Sequence, residues 1–310
     1  MSETHYVGVD LSKAELVADL SAEAKPRAFR QTPEGHRKFI AALPAGAHIV
    51  CEASGGYERA LVQALHQAQL PVSVVMPRRV RAFAGAQGLR AKTDPIDARL
   101  LSAYGHAVKP RRHTLPTAAS AEWQALVRAR RGLIERLNHE ASEAEHCTVA
   151  LLTQQAHARV QLLQAQVHEI EQRLRALLAA DHVARARIER MQQLCGIGEV
   201  TAWTLHAEMP ELGSLQPGQP AALLGVAPDP NDSGPRRGPR RISGGRPAVR
   251  KVLYMAALTA AHRNPILSAF YRRLTQERHK PSLLALTAVM RKLIELLNRM
   301  LAHPNFLLAS

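Results

Sequence analysis

HYVGVD, residues 5–10, is a short apolar run with β-branched residues that ends on an acid. It reads as a strand. Ala14–Leu20 and Pro26–Gln31 are weaker strand candidates that complete an antiparallel meander with it. Thr32–Ala42 opens on Thr and then Pro, a helix-start signal. His48–Glu52 is another buried strand. Tyr57–Gln69 carries Leu61 and Leu65 at helical spacing, and Val72–Met76 is a strand stopped by Pro77. Helical segments follow from Arg78 and from Pro95. Three strands followed by alternating helices and strands predict an α/β layer with a mixed sheet.

Beyond Pro116 the pattern changes. No proline occurs between Pro116 and Pro210, and Gly132 is the only glycine before Gly196. Val160, Leu163, Val167, Ile170, Leu174 and Leu177 alternate spacings of three and four, an a/d seam, and Leu126, Leu133 and Leu137 make a shorter stripe. One or two long helices forming a coiled-coil arm are expected. The seam leaves open whether its partner lies in the same chain or in another copy. Ala248–His262 and Ser282–Leu301 are amphipathic helices of a small all-α domain.

Composition narrows the function. At 310 residues the chain is long enough for about two domains, and 46% hydrophobic residues exclude a disordered polyelectrolyte. Lys and Arg number 41 against 26 Asp and Glu, a net charge of +15, which points to a polyanion and first of all to nucleic acid. Aromatics are only 4%, which favours backbone contacts over base stacking as the main binding device. Cys51, Cys147 and Cys195 lie far apart with no CxxC pair, so neither a zinc ribbon nor a disulfide framework is expected. The N-terminus has no signal-peptide pattern and no run of about 18 apolar residues occurs, so no membrane association is expected.

Four acids stand out. Asp10 ends the first strand, Glu52 ends HIVCE, and Asp94 and Asp97 lie three apart in KTDPIDARLL. Residues at i and i+3 share a helix face, so strand ends and a helix start can converge on one acidic pocket. Such a pocket suits Mg²⁺, which takes hard oxygen ligands, and a pair of ions can serve phosphodiester exchange. The bland alternatives are Asp94 as a helix N-cap with Pro95 at the first helical position, and turn or surface roles for Asp10 and Glu52.

A second cluster spans Leu223–Lys251. Arg236, Arg237, Arg240, Arg241, Arg246, Arg250 and Lys251 crowd it, and no acid follows Asp232. Guanidinium forks match phosphate oxygens. Ser233 and Ser243, each before a glycine, are candidate nucleophiles amid these cations, against the plainer reading of a flexible basic loop with turn serines. Cys195-Gly196-Ile197-Gly198-Glu199 resembles a helix-hairpin-helix, in which the backbone at Gly196 and Gly198 meets a phosphate; the alternative is a helix C-cap.

Taken in order, HYVGVDLSKAEL, CEASGGYE, GLRAKTDPIDARLL, LCGIGEVTA, SGPRRG and ISGGRPAVRKVLYMAALTA resemble the DEDD-type transposases of the IS-one-ten family of bacterial insertion sequences. The resemblance spans nearly the whole chain. It implies a RuvC-like, RNase H-fold domain (1–115), a coiled-coil arm (116–188) and a helical C-terminal transposase domain (189–310). It implies Asp10, Glu52, Asp94 and Asp97 as an Mg²⁺-binding tetrad and Ser233 as a nucleophile that links covalently to DNA, with Ser243 second. It further implies donor and target DNA and a structured bridge RNA as partners, a dimeric or tetrameric homo-oligomer, and a nucleoid-associated place in the bacterial cytoplasm. Two rivals stand beside this recombinase: a junction-type nuclease that uses water, and a non-catalytic nucleic-acid-binding protein.

Overall fold

The structure, a computed structural model, describes residues 4–306 except 22, 89–93, 116, 230–231, 234–235, 239–240 and 304; at 94, 95, 229, 232, 233, 236 and 237 it describes the backbone alone. The chain divides into two compact units, residues 1–116 and 117–310.

The first unit is built on a five-stranded sheet. β1 (His5–Leu11), β2 (Glu15–Asp19) and β3 (Arg27–Arg30) form the antiparallel meander. α1 (Pro33–Ala41) follows, its first turn closed by Thr32, whose hydroxyl accepts from the Gly35 N–H. A cap of this kind contributes about 1 kcal/mol. Then come β4 (Ala47–Glu52), α2 (Glu58–Gln67), β5 (Val72–Val75), α3 (Pro77–Ala86) and α4 (Asp94–Val108). The strand order is β3-β2-β1-β4-β5, with β1, β4 and β5 parallel. β1 is therefore central, paired on both edges and covered on both faces, which is why its sequence is almost continuously apolar.

Strand alternation sorts the two faces. Val7, Val9, Leu11, Ile49 and Cys51 pack with Phe39 of α1 and Leu61 and Leu65 of α2. Tyr6 and Val50 point the other way, toward Val80 of α3 and Leu100, Leu101 and Tyr104 of α4. α4 lies directly on β1 because two glycines permit it. A Cβ on Gly8 would stand 2.0 Å from the Ala98 carbonyl oxygen, and one on Gly105 would stand 2.8 Å from Tyr6. The Gly8 N–H also donates to the Ser102 hydroxyl at 2.7 Å. Gly8→Ala is expected to destabilise the protein by about 2 kcal/mol, because the obstacle is backbone and cannot rotate away. Denaturant unfolding of the full chain checks it: an unchanged midpoint would remove this contact as the reason for the glycine.

The second unit begins with an antiparallel helical hairpin, α5 (Ala118–His146) and α6 (Ala150–Ala180), interrupted at Cys147–Val149. Ion pairs of Glu122 with Arg173, Arg130 with Glu171 and Glu140 with Arg159 run in opposite chain directions and fix the antiparallel sense. The seam residues are all buried or half-buried, and α5 of the same chain packs on this helix. The seam thus has an intrachain partner, one of the two arrangements that the heptads leave open.

At its root the hairpin joins a helical core. Trp123, Val127 and Leu174 share one apolar cluster with α7 (His182–Gln192), α8 (Glu199–Glu208), α9 (Gln219–Leu224), α10 (Pro247–Arg263) and the later helices. Four two-residue strands follow α9: β6 (Pro228–Asp229), β7 (Asp232–Ser233), β8 (Arg236–Arg237) and β9 (Arg241–Ile242). α11 (Pro265–Arg272), a π-helical turn (Arg273–Glu277) and α12 (Ser282–Ala302) complete the unit. Among the described residues no helix is long and apolar enough to cross a membrane.

Candidate functional site

Val9 and Cys51 are register partners on the parallel strands β1 and β4, so Asp10, the last residue but one of β1, and Glu52, the last of β4, lie side by side on adjacent strands. Val9 and Cys51 face α1 and α2; alternation therefore turns Asp10 and Glu52 to the face that carries α4. α4 runs antiparallel to β1 on that face. Gly105 lies at Tyr6, and Ala98, Leu101 and Ser102 lie at Gly8. One more step along both elements brings the first turns of α4, with Asp94 and Asp97, toward Asp10. Asp10, Glu52 and Asp97 are each half-buried, and each has a partner.

Asp10 and Glu52 thus face the side of the sheet on which α4, the helix that carries Asp97, lies. The side chain of Asp94 lies outside the described residues, although its backbone opens α4. Among the described residues no group of three or more His, Cys, Asp or Glu is arranged to hold a metal ion. The donors at this sheet end are carboxylate oxygens, the type that a hard divalent cation takes, and in that respect the residues fit one.

The turn after Glu52 is held by an acid that sequence reasoning left without a role. Glu58 Oε2 accepts from the Ser54 N–H, the Ser54 hydroxyl and the Gly56 N–H at 3.0, 3.1 and 2.9 Å. Burial pushes the Glu58 carboxyl up, but the hydrogen bonds from its own N–H, Gly56 and Ser54 outweigh it and hold the group below its ordinary value of 4.5. A depressed carboxylate contributes stability that is present above the unfolded-state pKa and lost as pH falls through the folded one. Glu58→Gln is therefore expected to lower Tm at pH 7, with the gap from wild type closing as pH drops below about 4.5. A Tm gap constant across that range would exclude the clamp. Cys51, next to Glu52, is fully buried and its thiol is pushed up to about 12, first by burial and then by Glu58 and Glu52. It is an inert core residue.

In the second unit, Ser233 lies on β7, paired with Arg236 of β8, with Asp232 opposite Arg237. β6 pairs with β9 in the same antiparallel sense, Pro228 with Ile242 and Asp229 with Arg241. The two ladders are nested along the chain, with β7 and β8 lying between β6 and β9. Where composition reads as a flexible loop, the described backbone forms these two short ladders, together the finger, with Ser233 on the inner one.

The base of that finger is built from glycines. Gly225 and Gly245 both have positive φ, and a Cβ on Gly245 would stand 2.3 Å from the Gly225 nitrogen. The Arg246 N–H donates to the Leu223 carbonyl, and its guanidinium reaches the Glu208 carbonyl and the Glu211 carboxylate, both at 2.5 Å. Arg250 donates to the Gly244 carbonyl at 2.7 Å, and Lys251 pairs with Glu135 of α5 at 3.1 Å. These three cations make contacts inside the unit. Arg241 is exposed, as is Ser243, which has a partner. The side chains of Ser233, Arg236 and Arg237, and the whole of Arg240, lie outside the described residues.

Gly196 and Gly198 sit between α7 and α8. Gly196 has φ +95°, and a Cβ there would meet the Ala256 carbonyl oxygen at 2.3 Å. Close packing on α10 thus requires this glycine whatever else its backbone does. Gly198 caps α8 and faces open space. Glu199, in the first turn of α8, pairs with Arg175 at 2.8 Å.

Residues 7–146 match the DEDD transposase family of the IS110 type, and residues 188–272 match the Transposase IS116/IS110/IS902 family. The chain belongs to this transposase family. Every sequence-predicted site residue of the transposase falls within the two matched segments. The first covers the mixed sheet, whose order is that of an RNase H-like domain; the second covers α8, the finger, α10 and α11. The transposase is similar to a pilin gene-inverting protein of Moraxella bovis, 24% identical over 306 residues, which cover 95% of this chain and 94% of that one. A pilin gene-inverting protein of Moraxella lacunata is 25% identical over 251 residues, covering 80% and 77%. The transposase is a DNA recombination enzyme, and DEDD transposase domains typically use a divalent metal.

Proposed function

We propose that this transposase is an RNA-guided recombinase that cleaves and rejoins DNA through a phosphoserine intermediate. The observation that supports the reading is the register that sets Asp10 and Glu52 beside each other on adjacent strands, on the face against which α4 packs. Asp10, Glu52, Asp94 and Asp97 would hold Mg²⁺. When bound, such a cation supplies Lewis-acid polarisation of the scissile phosphate and offsets its charge. The Ser233 Oγ attacks phosphorus, the bond to the 3′-oxygen breaks, and the hydroxyl proton leaves as a 3′-hydroxyl forms on the departing strand. The 5′-phosphate stays on serine as an ester. A second 3′-hydroxyl reverses the step and joins a new strand, so no external energy source is needed. Arg236, Arg237, Arg240 and Arg241, on and beside the finger, hold phosphates.

Guidance by a bridge RNA, assembly as a dimer or tetramer with tetrad and serine joined across protomers, the coiled-coil and helix-hairpin-helix roles, the three-domain division and nucleoid association rest on the family resemblance. The inverting reaction named for the Moraxella relatives supports strand rejoining in place of simple cutting. The test is purification of the full chain from cells, sequencing of co-purifying RNA, and incubation with end-labelled donor DNA in Mg²⁺ or EDTA. A discrete structured RNA and an Mg²⁺-dependent, denaturation-resistant protein–DNA adduct are expected. Nicked DNA without adduct would favour a water-using nuclease, and random RNA fragments would remove guidance.

A further inference from the structure

In the second unit a cleft of about 950 Å³ lies between the end of α10, α11 and α12. None of the assigned site residues lines it. Its floor is apolar: Leu194, Leu267, Phe270, Leu296 and Phe306. Its rim is basic, with Arg263, Arg291, Lys292 and Arg299 against the single acid Glu295. Lys292 lies 3.8 Å over the Phe270 ring. Among the described residues Arg263, Arg291 and Arg299 have no ion pair, although the arginines of the hairpin are widely paired. Glu295 accepts from the Gly218 N–H at 3.1 Å and so is already engaged.

Each half of this chemistry narrows the ligand. Unpaired guanidiniums call for phosphate or carboxylate. A recessed apolar floor gains nothing from a duplex, which stacks its bases inside and presents phosphates outward. A strand with unpaired bases offers both groups at once, an apolar base face for the floor and phosphates for the rim, and guanidinium planes themselves stack on bases. An acidic amphipathic peptide offers a similar pair of features. The net charge of +15 and the strand-transfer chemistry favour nucleic acid, because a strand passing from one duplex to another is transiently unpaired.

We infer that the α10–α11–α12 cleft binds a single-stranded segment of nucleic acid, an inference that rests on the recombinase reading. Full-length protein is titrated in EDTA, so that no metal-dependent chemistry intervenes, against a fluorescent 15-nucleotide oligothymidylate and a 15-base-pair duplex. Arg291→Ala/Arg299→Ala is expected to weaken the single strand about 10-fold and the duplex less than about 2-fold, and to reduce the single-strand salt slope by about 1.4 for two lost phosphate contacts. In the wild type, a 5-iodouracil-substituted strand is expected to cross-link to peptides containing Phe270 or Phe306. Equal losses on both probes, no loss on either, or cross-links confined to other peptides would overturn the inference. So would an acidic amphipathic peptide whose binding is lost in the double variant while the strand's is kept. Adduct formation is not read here, so failure of the cleft leaves the serine mechanism standing.

Discussion

Asp10→Asn is expected to reduce Mg²⁺-dependent strand cleavage by at least about 10³-fold, the scale of losing one transition-state charge stabiliser, with little change in Tm. The substitution keeps the size and hydrogen-bonding reach of the side chain and removes only its charge. Asp10 is half-buried near the end of the central strand, beside Glu52 on the next strand, so its charge adds to that of a neighbouring carboxylate that repels it. Apo protein is therefore expected to be no less stable with asparagine. The measurement is single-turnover cleavage of labelled donor DNA across an Mg²⁺ series, with unfolding followed in parallel. A variant that cleaves at the wild-type rate would place the metal chemistry elsewhere.

Ser233→Ala is expected to eliminate the covalent adduct and to reduce strand transfer by about 10⁴-fold or more, as losing the nucleophile does in other covalent enzymes. The local fold argues that this effect is chemical. Ser233 takes part in the finger through its backbone, paired with Arg236, and alanine keeps that ladder. The positive-φ glycines and Arg246 that close the base lie many residues from Ser233. Binding of donor DNA by Ser233→Ala is thus expected to match wild type, while a denaturing gel shows no shifted band. Persistence of the adduct would move the nucleophile to another residue, with Ser243 as the first alternative.

The elements of the first unit were legible because each depends on its own neighbours. HYVGVD is a short apolar run with β-branched residues, Thr32 and Pro33 start a helix by local geometry, and Pro77 stops a strand at Val75. Bounds moved by a residue or two, and α4 starts at Asp94 itself. The α6 seam was visible as a 3-4 rhythm, but its partner was not, since a heptad describes one face only. The β finger and α9 were hidden in a Gly/Pro-rich stretch that reads as loop. There, glycine and proline serve close packing and positive φ, features invisible to hydrophobic periodicity. The role of Glu58 was missed because two of its three hydrogen bonds come from backbone N–H groups, which leave no pattern in side-chain types.

The candidate site divides along the same line. Sequence alone determined the strand that carries Asp10 near its end, the strand that ends in Glu52, the paired acids opening a helix, and the family to which their order points. Only the tertiary structure decided that Asp10 and Glu52 face the side of the sheet on which α4, the helix of Asp97, lies. That depends on α4 pressing onto β1 over Gly8 and Gly105, a contact between residues about ninety positions apart. It also decided that Arg246, Arg250 and Lys251 make contacts within their own unit. The physical reason is common to both: a charge is written in the chain, but its partner is chosen by packing between segments that the chain order does not bring together.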